Sequence, residues 1–207
     1  MKFKPHDLLR LDGTRDAVLL EEHSEVALAL LAVPFVVVRR APERVGWVAV
    51  GIRGWERTER FGAWIKMSGV VERWTPEQVR VLPRKRSLPA FHTLTMLEER
   101  WRTRAMAWGP SGSVGFELVS DAEVVTPQSD LDVVLRFERP LEREVARELL
   151  DETRELPARV DAQMQTPEGS VSLEEYALGE RPILMRKMHG VLLCDDPWAA
   201  QAVAELA

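Results

Sequence analysis

The apolar positions of the chain change period several times, and each change predicts an element. The stretch "VALALLAVPFVVVRR" (26–40) starts with a helix-like run to Leu31, meets Pro34, and continues as the β-branched run Phe35 to Val38, which reads as a strand. "VGWVAVGI" (45–52) predicts a second strand, closed by Gly54. Thr75-Pro76-Glu77 has the form of a helix start, with threonine as cap and proline at the first helical position. From His92 to Met106, Leu94, Leu97, Trp101 and Ala105 recur at helical spacing between Glu and Arg residues, which predicts a long amphipathic helix.

In the second half, strand and helix patterns alternate. The strand "LDVVLRF" (131–137) is followed by a helix from Pro140 to Thr153, the strand "ARVDAQMQT" (158–166), a turn at Pro167 to Gly169 and the helix "SLEEYAL" (172–178). Two short apolar runs, "PILM" (182–185) and "GVLLC" (190–194), flank Gly190 and predict a hairpin. This mixture is that of an α/β or α+β domain. The charged segment "VLPRKRSLP" (81–89), bracketed by prolines, places a domain boundary near residue 88, giving a smaller α+β domain over 1–88 and a second domain over 89–207.

Composition and charge narrow the function classes. With 45% hydrophobic and 29% charged residues, the chain can bury a core. No apolar run approaches the roughly 20 residues of a membrane span. A single cysteine, Cys194, excludes an internal disulfide, and the opening residues lack a signal-peptide pattern; together these predict a soluble cytoplasmic protein. Residues 1–106 carry 19 Lys and Arg against 13 Asp and Glu, whereas residues 107–207 carry 9 against 20. The basic half can attract an anionic partner, and the acidic half is poorly suited to a nucleic-acid backbone, so neither nucleic acid nor membrane is expected as a partner.

The candidate chemistry lies in "GSVGFELVSDAEVVTPQSDLDVVLRF" (112–137). Side chains alternate across a strand, so Asp130 and Asp132 share one face while Leu131 and Val133 share the other. Two carboxylates so close repel each other; either they stand on an exposed strand end or a divalent cation such as Mg²⁺ lies between them. Upstream, Gly109, Gly112 and Gly115, with Pro110, Ser111 and Ser113, read as a loop. Such a loop either ends the preceding helix or brings backbone N–H groups close to phosphate oxygens. Asp161, on the polar face of the next strand, reads as a third metal ligand, as the base for an attacking hydroxyl, or as the wet side of an edge strand.

Gly112-Ser113, a spacer of sixteen residues and then Asp-Leu-Asp resemble the DNA polymerase β nucleotidyltransferase superfamily. Within it, "WGPSGSVGFEL" followed by "SDLDVVLR" is similar to one branch, the holo-acyl-carrier-protein synthases of malonate decarboxylase, which are phosphoribosyl-dephospho-CoA transferases. "PHDLLRL", "PFVVVRRA", "VGIRG", "VDAQMQTPEGSVSLEEY" and "LLCDDPW" add to the likeness along most of the chain. The resemblance implies a nucleotidyltransferase-like second domain with a mixed sheet and flanking helices, preceded by a domain that binds donor or carrier. It implies transfer of triphosphoribosyl-dephospho-CoA to a serine of the apo acyl carrier subunit of malonate decarboxylase, forming a phosphodiester and releasing pyrophosphate. By the same resemblance Asp130, Asp132 and Asp161 are the catalytic, metal-binding carboxylates for one or two Mg²⁺ ions, and Gly112 and Ser113 hold the leaving pyrophosphate. Other readings of the same scaffold are a transferase acting on a different acceptor and a non-catalytic binding module.

Arg39 and Arg53 each close a strand candidate in the basic half and are read either as phosphate-binding residues or as solvated surface. Trp47, Trp55, Trp64 and Trp74 are read as core residues or as stacking surfaces for an adenine. His6, His23, His92 and His189 show no metal-ligand spacing, and Cys194 reads as a buried thiol without a nucleophile's surroundings.

Overall fold

The computed structural model describes residues 3–13, 17–19, 24–54, 59–179, 181–199 and 202–206, and every structural statement below concerns those. The chain folds as an α+β protein with two sheets. The first contains β1 (Leu8–Leu11), β2 (Ala17–Leu19), β3 (Phe35–Val38), β4 (Trp47–Arg53), β5 (Arg60–Lys66) and β6 (Val70–Trp74), and α1 (Ser24–Ala32) lies between β2 and β3 in sequence. Their order is β2-β5-β4-β3-β1-β6, and each pairing is antiparallel. Leu9, Val36, Val50, Ile52, Ala63 and Ile65 are nearly inaccessible and form its core. The short strands suit this sheet because Val and Ile pack well on a pleated surface.

The second unit runs through α2 (Pro76–Arg80), α3 (Pro89–Arg100), β7 (Ala107–Pro110), α4 (Gly112–Ser120), β8 (Leu131–Arg136), α5 (Arg143–Asp151), β9 (Val160–Gln165), β10 (Ser170–Ser172), α6 (Leu173–Leu178), β11 (Ile183–Lys187), β12 (Gly190–Cys194) and β13 (Ala202–Leu206). Its strands are ordered β13-β12-β11-β10-β9-β8-β7. Only β8 and β9 are parallel; a parallel pair needs a long crossover, and α5 supplies it. One face carries Leu131, Val133, Leu135, Ala162 and Met164 into a core shared with Phe91, Leu94 and Leu97 of α3 and with Tyr176 and Ala177 of α6.

Several boundaries differ from the sequence expectation. The long helix begins at Pro89, whose fixed φ suits a first helical position, and ends at Arg100 rather than Met106. Trp101 then turns into the core and meets Trp108 edge-to-face at 4.7 Å. The fifth helix begins at Arg143, not Pro140. The glycine-serine segment is not a loop: Gly109 and Pro110 belong to β7, and Gly112 opens α4. Pro110 is tolerated in a strand because β7 is the sheet's edge. The Thr75 start is as expected, with a reciprocal cap between Thr75 and Gln78.

Two contacts hold the second unit in shape and join it to the first sheet. A Cβ on Gly109 would stand 1.9 Å from the carbonyl oxygen of Pro76, so only glycine lets α2 press onto β7. Asp7, fully buried beside β1, accepts from Arg73 of the first sheet (Nε to Oδ2, 2.8 Å) and from Arg136 of the second (Nη2 to Oδ1, 3.3 Å).

Candidate active site

The parallel register sets Asp132 of β8 beside Asp161 of β9. Register partners in neighbouring strands point to the same side, so both carboxylates lie on the face opposite the core. Asp130 precedes β8 and is exposed; Asp132 is half-buried and Asp161 exposed. Among the described residues, no three His, Cys, Asp or Glu side chains lie close enough to make a preformed metal cage. Asp161 also borders a cleft of about 310 Å³, with Thr153, Arg154, Arg159, Ser172 and Glu174.

The first turn of α4 sits against Asp132. Ser111 N–H donates to the Asp132 carbonyl at 2.9 Å, which ties the start of the helix to β8. Gly112 has φ +56°, and a Cβ there would stand 1.8 Å from Asp132 Oδ2. The N–H groups of Gly112, Ser113 and Val114 lack partners within the helix, as at any helix start, and the helix dipole makes that end electropositive. Asp132 is thus packed against the segment predicted to hold phosphate. At the far end of α4, Glu117 is buried and accepts from Val124 N (2.8 Å), Val125 N (2.7 Å) and Arg86 (3.0 Å). That clamp fixes the segment leading into β8.

The remaining sequence candidates lie elsewhere. Arg39 borders a mainly apolar cleft of about 280 Å³ that also contains Trp47 and Trp64; its Nε is buried without a hydrogen-bond partner. Arg53 stands over the Phe116 ring at 6.0 Å, in a different cleft with Ala29, Val33 and Val124. Arg44 covers Trp47 at 4.7 Å and Trp64 at 5.8 Å, so these indoles already have a cationic neighbour. Trp55 and His23 lie outside the described residues. His92 is within reach of Ser87 Oγ at 2.9 Å, and Cys194 is fully buried in the core, with its thiol pKa raised by that burial.

The description "Phosphoribosyl-dephospho-CoA transferase MdcG N-terminal domain" matches residues 4–76, and the corresponding C-terminal description matches residues 78–197. The chain belongs to the phosphoribosyl-dephospho-CoA transferase family. A Pseudomonas putida phosphoribosyl-dephospho-CoA transferase is 42% identical over 197 residues, covering 95% of both chains. One from Pseudomonas aeruginosa is 40% identical over 198 residues (94% of this chain, 93% of the relative), and one from Azotobacter vinelandii is 38% identical over 200 (94% of each). No solved structure matches. The face that carries the two aspartates also presents further polar residues. Arg136 lies four positions after Asp132 on the same face of β8, with Val134 between them, and Gln165 lies four after Asp161 on β9, with Gln163 between them. Continuing that period past the two aspartates would have found both.

Proposed function

We propose that this family member transfers triphosphoribosyl-dephospho-CoA to a serine of an apo acyl carrier subunit, that of malonate decarboxylase. In this reading the serine oxygen attacks the phosphorus nearest the ribose, a phosphodiester forms, and the bond to the leaving pyrophosphate breaks. Asp161 takes the hydroxyl proton. The first turn of α4, with Gly112 and Ser113, holds the departing pyrophosphate. Asp132, with Asp130 two positions before it, fits a divalent cation by its chemistry, since hard carboxylate oxygens are what Mg²⁺ prefers, and Mg²⁺ takes the rest of its shell from water and substrate phosphates. Glycine at 112 lets the Asp132 carboxylate lie directly against the start of α4, so a cation at Asp132 and the N–H groups of that turn would act on the same phosphates. When bound, such a cation neutralises charge on the phosphates; the protein's own part is to orient the two reactants and keep them in line. The nucleotidyltransferase assignment belongs to the same proposal.

The observation that supports this most is the in-register pair Asp132 and Asp161 on one face of a parallel strand pair, with the start of α4 against Asp132. Intact-mass spectrometry of an apo carrier subunit, incubated with the chain, Mg²⁺ and the triphosphoribosyl donor, tests it. A mass gain equal to donor minus pyrophosphate, located on serine, is expected. An unmodified carrier under those conditions, with the donor intact, would overturn the proposal.

A further inference from the structure

The polar face of the second sheet continues past the aspartates. Arg136, Gln165, Ser170 and Arg186 are register partners across β8, β9, β10 and β11, so all four side chains project from the face that carries Asp132 and Asp161. Four residues along β8 separate Asp132 from Arg136, roughly 13 Å at the usual strand rise. At this end of the face, β11 and the segment around His6 and Arg40 enclose a cleft of about 390 Å³, whose lining includes Lys4, Arg40, Arg136, Gln165, Arg186 and Lys187.

Its donors are unevenly satisfied. Arg136 is bound to Asp7 and Glu77, and Lys4 and Lys187 face Glu138 and Glu168. Arg40 and Arg186, by contrast, have no carboxylate partner among the described residues. The Arg40 contact is with His6 Nε2 at 3.5 Å, and a guanidinium can only donate, so the imidazole is the acceptor. Gln165 accepts from Arg136 Nε at 3.1 Å through its Oε1, which leaves its amide nitrogen as a buried donor with no acceptor. Two guanidiniums without a carboxylate partner and an orphaned buried amide N–H₂, all in one cleft, suit a shared acceptor with several oxygens and negative charge. In agreement, the Arg40 pKa is lowered to about 10, by burial and then by the charge of Arg186, a repulsion that an anion would relieve.

We infer that this cleft binds the diphosphate that bridges adenosine and pantetheine in the dephospho-CoA part of the donor, with Arg40, Arg186 and the Gln165 amide as its ligands. This rests on the donor assigned above. The order of groups in that donor follows the order of features on the protein. The triphosphate lies at the aspartates, the linked riboses run along β8 and β9, and the bridging diphosphate reaches the arginines. Beyond them, past Pro5 and Met188, which border both clefts, opens the apolar cleft with Val48 and Trp64, where the uncharged pantetheine arm lies.

Calorimetric titration with dephospho-CoA itself, in EDTA so that cation-dependent binding at the aspartates is silent, tests the assignment without turnover. Binding by the unmodified chain is expected, with affinity about tenfold lower in Arg186→Gln and lower again in Arg40→Gln/Arg186→Gln, each lost charge-assisted contact being worth about a factor of ten or more. Arg186 is exposed, and among the described residues its side chain makes no ion pair, so its substitution leaves the fold intact. Unchanged affinity in the double variant overturns the inference, as does failure of the unmodified chain to bind. Weakened recognition of the acyl carrier in place of dephospho-CoA overturns it too. Arginine-dependent binding of dephospho-CoA by a chain that modifies no carrier would uphold this cleft and sink the proposed function.

Discussion

Gly112 at the head of α4 has no side chain, and the carboxylate of Asp132 occupies the space where one would be, with Oδ2 1.8 Å from an ideal Cβ position. The backbone there is in the left-handed region, at φ +56°. Both conditions favour glycine independently, one by conformation and one by contact.

Gly112→Ala is therefore expected to damage function more than fold. The left-handed conformation costs an alanine about 1–2 kcal/mol, which a melting curve would show as a modest drop. The methyl group also pushes the Asp132 carboxylate aside, and a misplacement of about 1 Å can cost roughly a hundredfold in rate. Transfer assays should show at least that loss. A variant that melts normally and transfers at the original rate would mean the contact has no part in the reaction.

Asp132→Asn and Asp161→Asn should separate the two carboxylates by role. Both changes preserve shape and leave no cavity, so circular dichroism should be unchanged. Loss of a general base lowers the rate by about 10²–10⁴, and for Asp161→Asn that deficit should shrink as pH rises and hydroxide takes over the proton. For Asp132→Asn the deficit should instead shrink as Mg²⁺ is raised, because an acid ligand to the cation has been lost. Identical pH and Mg²⁺ profiles for the two variants would refute the division of labour.

The strands carrying these aspartates were legible because β8 is a β-branched apolar run opened by Ser129 and Asp130, and β9 alternates apolar and polar positions and is closed by Pro167; the β11–β12 hairpin was legible from Gly190. The β7–α4 junction was not. Three glycines and a proline read as punctuation, yet packing of Gly109 under Pro76 and burial of Val114 and Phe116 outweigh weak propensity there. The row from Arg136 to Arg186 was hidden for another reason. Its members come from four strands, and only the register of a folded sheet says that position 136 stands in line with 165, 170 and 186. The same holds for Asp7 and Arg136, 129 residues apart in sequence.

Asp7 offers a test of how the two sheets are joined. Its carboxylate is wholly inaccessible and is shared between Arg73 and Arg136, with the Lys4 N–H as a further donor at 2.9 Å. Removing one partner of a buried ion pair leaves the other charges uncompensated, at a cost of about 3–5 kcal/mol. Asp7→Ala should lower Tm by roughly 6–20 °C for a chain of this size. Replacing the far more exposed Glu72, paired with Arg10 at the surface, should change it little. Equal effects from the two substitutions would show that Asp7 is not what holds the sheets together.

His6 should make the protein sensitive to mild acid. Its pKa is lowered to about 3, first by burial and then by the charges of Arg40, Arg136 and Arg186, whereas an unfolded histidine titrates near 6.5. Between those values the unfolded chain holds a proton that the folded chain does not. Folding stability contributed by His6 is thus complete above pH 6.5 and is lost as pH falls toward 3, by at most about 1.4 kcal/mol per pH unit. The window from pH 6.5 to 5 is the informative one, because ordinary carboxylates titrate lower. His6 also has φ 72°, a conformation that asparagine tolerates, so His6→Asn removes the titration without forcing the backbone. Denaturant unfolding at pH 7, 6 and 5 should show a clear decline in stability for the original chain and a flatter course for the variant. Parallel declines in both would place the acid sensitivity elsewhere in the molecule.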